Sequence, residues 1–346
     1  MLVACATSTP GTSKIIASAE REARFEPGQE RFELSVLNTP EHANLSLSFD
    51  WQEGDAFDFE FNGKFGFQSR GSYRGSIRNI RSFRDVKRRL RFRVMKATAT
   101  EIFLTVYVQE LITGEPENDK ALTSILNYIR GEVVLSRRGS LKGMAWFYPT
   151  DWQDYFFDVL PILLGDIGSI ELTLPDTSLG RGSKWDSVLY LMPNQPELIS
   201  KTSHEVMELT ESGLIVKSVG HQKVWKGPMY RSDEMLEHGA YAELKGGQID
   251  VERVMHWSND LKEATISNIE WRTNSNTRQS WDHVDMPEHF KHKHKQSGTG
   301  TLKQLNNAKP YPFLDYPGKK VTLVIPPLLT TGPFAVITPP TPEKSK

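Results

Sequence analysis

The sequence predicts a mainly β protein of α+β class: curved antiparallel sheets built from successive hairpins, about two helices packed on one side, and an extended proline-rich C-terminal arm. Three observations predict it. Apolar and polar residues alternate over many short runs, Leu45, Leu47, Phe49 and Trp51 among them, which is the period of a half-buried strand. Turn-type dipeptides containing glycine punctuate those runs. Helical spacing is confined to two places.

Phe57, Phe59 and Phe61 repeat the alternation, Asn62-Gly63 follows as a hairpin signal, and Phe65 and Phe67 return. A two-residue loop would send Phe65 and Phe67 to the face opposite the first three, whereas a longer connection or a bulge keeps all five together. One greasy face is easier to bury than two, so the expectation is a shared face. Strands follow at 90–95 and at 102–111, the latter apolar on both sides and therefore central. Leu122, Ile125, Leu126 and Ile129 fall at i, i+3, i+4 and i+7, marking a helix from about Asp119 to Gly131. After a strand at 132–136 and a turn at Arg138-Gly139, a second helix opens at Thr150 or Asp151. It carries Trp152, Tyr155, Phe156, Val159 and Leu163 and is kinked by Pro161.

The remainder reads as an antiparallel meander: 185–191, 206–209, 214–219, 239–244, a Gly246-Gly247 turn, 249–255 and 264–271. From 274 to 308 the composition shifts to Asn, Gln, His and Lys, which reads as a mobile loop or linker. The last stretch, 309–346, is rich in proline around the apolar segments 321–329 and 334–337, and reads as an arm that docks on the body or on a partner. The expected division is therefore 1–28 as a tether, 29–195 as a β-rich subdomain with two helices, 196–273 as an antiparallel β subdomain, 274–308 as the loop and 309–346 as the arm.

With 346 residues, 38% hydrophobic and 25% charged, the chain can bury a sizeable core. Its longest apolar stretch, 155–164, is broken by Asp158 and Pro161 and is far short of a spanning helix. A net charge of -1 argues against a nucleic-acid partner. Between Arg70 and Lys96, however, eleven basic residues face one acid, Asp85, which leaves -11 on the rest of the chain. Arg91 and Arg93 alternate with apolar residues and line the wet face of a strand. Arg70, Arg74, Arg78, Arg81, Arg84 and Arg88 are interleaved with Tyr73, Ile77, Ile80 and Phe83, and form a strip suited to an anion, an acidic partner or lipid headgroups.

No hydrolase elbow, phosphate loop, dinucleotide fingerprint or zinc-protease pair occurs, so no catalytic residue and no cofactor is expected. The run Gly180-Arg181-Gly182-Ser183-Lys184 lacks phosphate-loop spacing and reads as a solvated loop. His289, His292 and His294, with His283 and Glu288 nearby, are the best metal candidates by residue type. Lys291, Lys293 and Lys295 interleave with them and oppose a dication, so no metal is expected.

The only cysteine of the chain is Cys5, and Leu2-Val3-Ala4-Cys5 resembles the lipobox of bacterial outer-membrane lipoproteins. Only Met1 to Ala4 precede the thiol, in place of the family's signal peptide, and the run Ala6 to Ser13 has the small, polar composition of the family's tether. The resemblance implies lipid attachment at Cys5. With Ala6 in place of the aspartate that retains such proteins in the inner membrane, it implies the periplasmic face of the outer membrane. A curved sheet carrying Phe57, Phe59, Phe61, Phe65 and Phe67 opposite a helix with Trp152 and Phe156 also looks like periplasmic carriers that shield lipid, by analogy of fold alone. Two functions follow as expectations. One is a binding protein for a lipid or other hydrophobic ligand. The other is an assembly component of a cell-envelope complex, docking on envelope proteins through its basic strip and arm. An enzyme ranks third.

Overall fold

Alternation with a period of two runs far longer in this chain than the turn signals suggest, and the strands are correspondingly long. The computed structural model describes residues 32–40, 42–73, 76–114, 116–149, 163, 172–190, 199–228, 241–280, 288–306 and 320–325. Among them are thirteen strands: β1 (Phe32–Asn38), β2 (Ala56–Tyr73), β3 (Ser76–Ala97), β4 (Glu101–Ile112), β5 (Arg130–Ser136), β6 (Leu141–Pro149), β7 (Lys184–Tyr190), β8 (Ile199–Thr210), β9 (Gly213–Pro228), β10 (Tyr241–Ser258), β11 (Ala264–Ser280), β12 (Glu288–Gln304) and β13 (Lys320–Ile325). They form a single sheet in the order β1-β7-β8-β9-β10-β11-β12-β2-β3-β4-β5-β6-β13. Each pairing is antiparallel.

This corrects the expected arrangement of several sheets with about two helices on one side. Apart from Leu163, which is helical, the described helical structure is one helix, α1 (Pro116–Ile125), and a 3-10 turn over Leu126–Tyr128. Pro116 opens α1 where a missing N–H is harmless. The Asp119 carboxylate accepts the Thr113 backbone N–H at 2.6 Å and its hydroxyl at 2.7 Å, pinning the helix start to the end of β4. Leu122, Ile125, Leu126 and Ile129 are all buried, but the helix ends at Ile125, short of the expected Gly131, and β5 begins at Arg130. The second expected helix, with Trp152 and Phe156, lies outside the described residues except for Leu163, which is buried.

Two expected turns are instead strand interior. β2 runs straight through Asn62-Gly63, and the hairpin closes beyond it, where Tyr73 pairs with Ser76. Phe57, Phe59, Phe61, Phe65 and Phe67 share one face because they are all odd-numbered on an unbroken strand, with no bulge in its register against β3 or β12. Gly63 is glycine for a packing reason: a Cβ there would stand 2.3 Å from the Ser297 carbonyl oxygen and 2.7 Å from the Phe61 ring. Likewise β10 passes through Gly246-Gly247 with a register shift between Leu244 and Gly246.

Strand pairing runs across the positions 195 and 273. β7 pairs with β8, and β12 pairs with β2 from Gln304 opposite Phe57 to Phe290 opposite Gly71. The segment 274–308, expected as a loop, supplies the end of β11 and all of β12, because its polar side chains alternate between two faces of a ladder. Of the arm, Lys320–Ile325 docks as β13 on β6; its other residues lie outside those described.

The sheet curls. Phe49 donates its N–H to the Arg137 carbonyl at 2.9 Å, just past β5, while its ring meets Trp257 of β10 edge-on at 5.7 Å. β10 and β5 are six strands apart, about 29 Å on a flat sheet at ~4.8 Å per strand. One phenylalanine bridges that distance only if the sheet rolls up. A second tie joins strands nine apart: Leu174 donates to the Arg138 carbonyl at 2.8 Å, and Trp185 of β7 donates its indole N–H to the Thr173 carbonyl at 2.7 Å. Leu47, Phe49 and Trp51 are buried, with exposed residues between them. They form no ladder strand, and cross one end of the roll with their inward side chains as its floor. The Trp51 indole donates to the Leu261 carbonyl at 3.0 Å.

Arg137 fixes this floor, donating to the carbonyls of Thr98 at 2.8 Å, Phe49 at 3.0 Å and Trp51 at 2.9 Å. Arg137→Met should cost about 2 kcal/mol of unfolding free energy, since charge-assisted bonds to carbonyls that water cannot fully replace are lost. Urea denaturation measures this, and a midpoint unchanged from wild type would contradict it.

Candidate binding surfaces

The concave face changes character along the strands. Near the floor it is dry and apolar: Phe57, Phe59, Phe61, Leu90, Phe92, Trp257, Ile266, Ile269 and Leu302 are almost completely buried. Three of the five phenylalanines therefore build core. Toward the end that carries the β2–β3 hairpin, the same face becomes polar. Successive inward positions of β11 are Trp271, Thr273, Ser275 and Thr277; those of β12 are Gln296, His294, His292 and Phe290; and those of β2 are Phe65, Phe67 and Ser69. Thr273 Oγ1, Ser275 Oγ and the Gln296 side-chain nitrogen are enclosed with no hydrogen-bond partner among the described residues, and these residues are at most 4% exposed. Buried polar groups are nearly always satisfied, so these three call for a partner, a bound water included, and a larger group reaches them only where neighbouring side chains shift.

Rings surround these polar atoms. Phe67 lies 4.9 Å from His294 and stacks on His292 at 6.0 Å, Phe65 is 5.7 Å from His294, and Phe290 stacks on His292 at 6.0 Å. His292 Nε2 shares a 2.8 Å hydrogen bond with Thr277 Oγ1. Burial pushes the His294 imidazole down to about 4, helped by the His292 charge, and burial also lowers His292. Both rings are neutral at physiological pH and form an aromatic wall. The alternation of β12 puts His289 on the opposite face, so the three histidines do not converge. Among the described residues no group of three His, Cys, Asp or Glu could hold a metal. His283 lies outside the described residues.

The arginine strip is divided by the same alternation. Arg84 and Arg88 of β3 face inward opposite Phe65 and Phe61. The Arg88 guanidinium, only 1% exposed, lies 4.1 Å from the Phe61 ring centre, and that of Arg84 lies 5.6 Å from the Phe65 ring. Arg70 and Arg81 face outward and are exposed. Arg78 lies on β3, while Arg74, like Cys5, falls outside the described residues. The strip is thus two sets of cations on two faces.

At the β7–β8–β9 side the concave face holds a relay-like trio. Ser187 Oγ lies 3.1 Å from His204 Nε2, and His204 Nδ1 lies 2.9 Å from Ser218 Oγ, with the ring stacked on Trp185 at 5.0 Å. Burial, reinforced by the Arg253 charge, drives His204 down to about 3. A base that weak, enclosed between two hydroxyls with no carboxylate on its ring, organises the interior and has little capacity to activate a nucleophile.

The convex face is charged. Asp58 accepts hydrogen bonds from Arg91 at 2.7 Å and 2.9 Å and from Arg89 at 2.8 Å. Burial alone would raise the Asp58 carboxyl, but these two arginines more than reverse that and hold it below the ordinary value. Arg89 and Arg91 are therefore structural. Across β12, β2 and β3 the outward positions include His289, Lys291, Lys293 and Lys295, then Lys64 and Arg70, then Arg81 and Lys87, with the acids Glu60 and Asp85, Asp85 opposite Lys64, and with Ile77 and Phe83 exposed among them. Two depressions are lined from both faces. One, of 530 Å³, has Arg70, Ile77, Lys245, His289 and Lys291 with the inward Thr277 and Phe290; the other, of 370 Å³, has Lys64, Phe83, Asp85 and Lys295 with the inward Phe65 and Arg84.

No family model and no curated protein matches the chain. Among solved structures, it is similar to the outer membrane protein OprG from Pseudomonas aeruginosa, at 8% identity over 73% of this chain and 99% of that one, with a TM-score of 0.23. It is also similar to the COG4313 outer membrane channel from Pseudomonas putida F1, at 9% identity over 78% of this chain and 100% of that one, with a TM-score of 0.26. Likeness at that level carries no argument about activity. The convex face does: a barrel wall in lipid is apolar outward, and each cation at mid-membrane costs about 2–4 kcal/mol. With Lys or Arg at so many outward positions, β2, β3 and β12 are not such a wall. No described helix is long and apolar enough to cross a membrane.

Thr273, Ser275, Thr277 and Gln296 were not legible as a site from the sequence. Their one signal, hydroxyl side chains at every second position in Thr273-Asn274-Ser275-Asn276-Thr277, is also what a polar loop looks like.

Proposed function

We propose that the protein is a cell-envelope binding protein, anchored by lipid on Cys5 at the periplasmic face of the outer membrane, whose concave face holds one amphiphilic lipid. The polar part of the ligand meets Thr273, Ser275 and Gln296, and its apolar part lies along Phe65, Phe67 and Phe290. The observation that carries this reading is the set of enclosed, unpartnered polar atoms beside a wall of rings. An apolar ligand alone would leave them unpaired, and a fully polar one would waste the rings.

Native mass spectrometry and lipid extraction of the full chain purified from membranes test the proposal. A near-stoichiometric lipid is expected, and its occupancy should fall about tenfold or more in Thr273→Val, Ser275→Ala, Gln296→Leu. If the polar atoms served no ligand, the same triple variant would leave bound lipid unchanged and would be more stable, because buried unpaired groups are removed. Protein free of lipid would overturn the binding role.

One feature favours a scaffold as the second reading. The sheet ends in β1 and β13, whose outer edges carry no further strand among the described residues; such edges accept a partner's strand. Partner capture that is lost on deleting 309–346, from protein carrying no lipid, is the result that reading expects.

A further inference from the structure

We propose that the convex face of β12, β2 and β3 rests on an anionic bilayer surface. The exposed cations of this face do not need the concave ligand, although the depressions beside them reach inward to Phe65, Thr277 and Phe290. Strand alternation sets Lys291, Lys293 and Lys295 beside Lys64 and Arg70, with Arg81 one strand further on. Lys64, Arg70, Arg81, Lys291 and Lys293 have no carboxylate partner among the described residues, whereas Arg89 and Arg91 nearby are committed to Asp58 and Lys295 reaches Glu270 at 3.2 Å. A folded surface that repels itself in this way is stabilised by an anionic counterpart.

Two side chains give the patch its bilayer character. Phe83 is 81% exposed and Ile77 is 76% exposed, and each borders a depression rimmed by cations. Phe83 stands opposite Gly66, where a Cβ would approach its ring to 3.0 Å. Covering a glycine explains the orientation of the ring, yet leaves most of it bare. Lysines and arginines around an exposed aromatic and an aliphatic side chain match headgroup phosphates above an acyl boundary. The formal charge on the chain outside 70–96 is -11, so an anionic surface would repel most of the molecule and admit this face.

The test is co-sedimentation of the full chain carrying Cys5→Ser, which removes any acyl anchor, with vesicles of phosphatidylcholine alone or mixed with phosphatidylglycerol. Binding is expected to the mixed vesicles only, weakening as salt rises. Lys64→Gln, Lys291→Gln, Lys293→Gln should lower the partition coefficient about a hundredfold, at roughly fivefold per cation near the surface. Ile77→Ser with Phe83→Ser should lower it about tenfold with the charges intact. All five side chains are exposed, and the thermal unfolding of each variant shows whether its fold is retained. Equal binding to neutral vesicles, no binding to either, or wild-type partition in both variants would overturn the proposal. So would retention on a soluble polyanion without vesicle binding.

Discussion

Unfolding free energy is expected to fall by several kcal/mol between pH 7 and pH 4. Two enclosed histidines carry most of the effect: His204 titrates at about 3 and His294 at about 4, each displaced chiefly by burial from an ordinary value near 6.5. As pH drops below 6.5 the unfolded chain takes up a proton at each ring while the folded chain does not. Each histidine then withdraws about 1.4 kcal/mol of stability per pH unit until its folded value is reached. Stability from this source is complete above pH 6.5 and is about 3 kcal/mol lower per ring at pH 4. Asp58 acts further down, its contribution being lost as pH falls from 3.8 toward its lowered folded value. Urea midpoints measured from pH 7 to pH 4 give the slope. His294→Phe keeps a ring against Phe65 and Phe67 while removing one titration, so its slope should be smaller by about 1.4 kcal/mol per unit. A flat profile in the wild type would mean that water reaches both imidazoles.

Alternation found the inward faces of β2 and β4, and what it could not reveal was strand length or whether a ladder forms. The inward set Phe57 to Phe67, the both-faces burial of β4 and the burial of Leu122, Ile125, Leu126 and Ile129 all follow from spacing in the chain, although the helix itself ends at Ile125. Asn62-Gly63 and Gly246-Gly247 misled because a glycine pair in a strand and one in a turn look alike locally. The difference is set by a neighbour far along the chain: Ser297 crowds Gly63, and the Asn274 carbonyl would lie 2.1 Å from a Cβ on Gly247. Leu45 to Trp51 shows the converse, true alternation without a ladder, because its backbone bonds to Arg137 and Leu179 at the end of the roll. The polar half of the concave face was least legible. Thr273, Ser275 and His294 are inward only because 274–308 is sheet, and a composition of Asn, His and Lys argues locally for a loop. The arginine strip was visible as charge, but its division between two faces required the β2–β3 register.

Gly63→Ala should cost about 3 kcal/mol, an unusually large effect for one methyl group. On β2 and β12, Gly63 pairs with Gly298, and the Phe61 ring lies across both: a Cβ on Gly298 would stand 2.5 Å from the ring, and one on Gly63 would stand 2.7 Å from it. On its other side Phe61 carries the Arg88 guanidinium at 4.1 Å, and both residues are enclosed. The ring therefore has no direction in which to retreat, and the Ser297 carbonyl at 2.3 Å blocks the new methyl from the backbone side. Overpacking a filled core commonly costs 1–3 kcal/mol, more where neither neighbour can yield. Phe61→Leu in the same chain should recover part of the loss by shortening one obstacle while the carbonyl remains, a coupling that a double-mutant cycle reads directly. Gly54 sets the scale for comparison: its φ is +93 with nothing within 4 Å of a Cβ, so Gly54→Ala should lose only about 1 kcal/mol from backbone strain. If the two alanine variants unfold at the same urea concentration, the ring does not span the glycine pair, and β2 and β12 do not meet in this register.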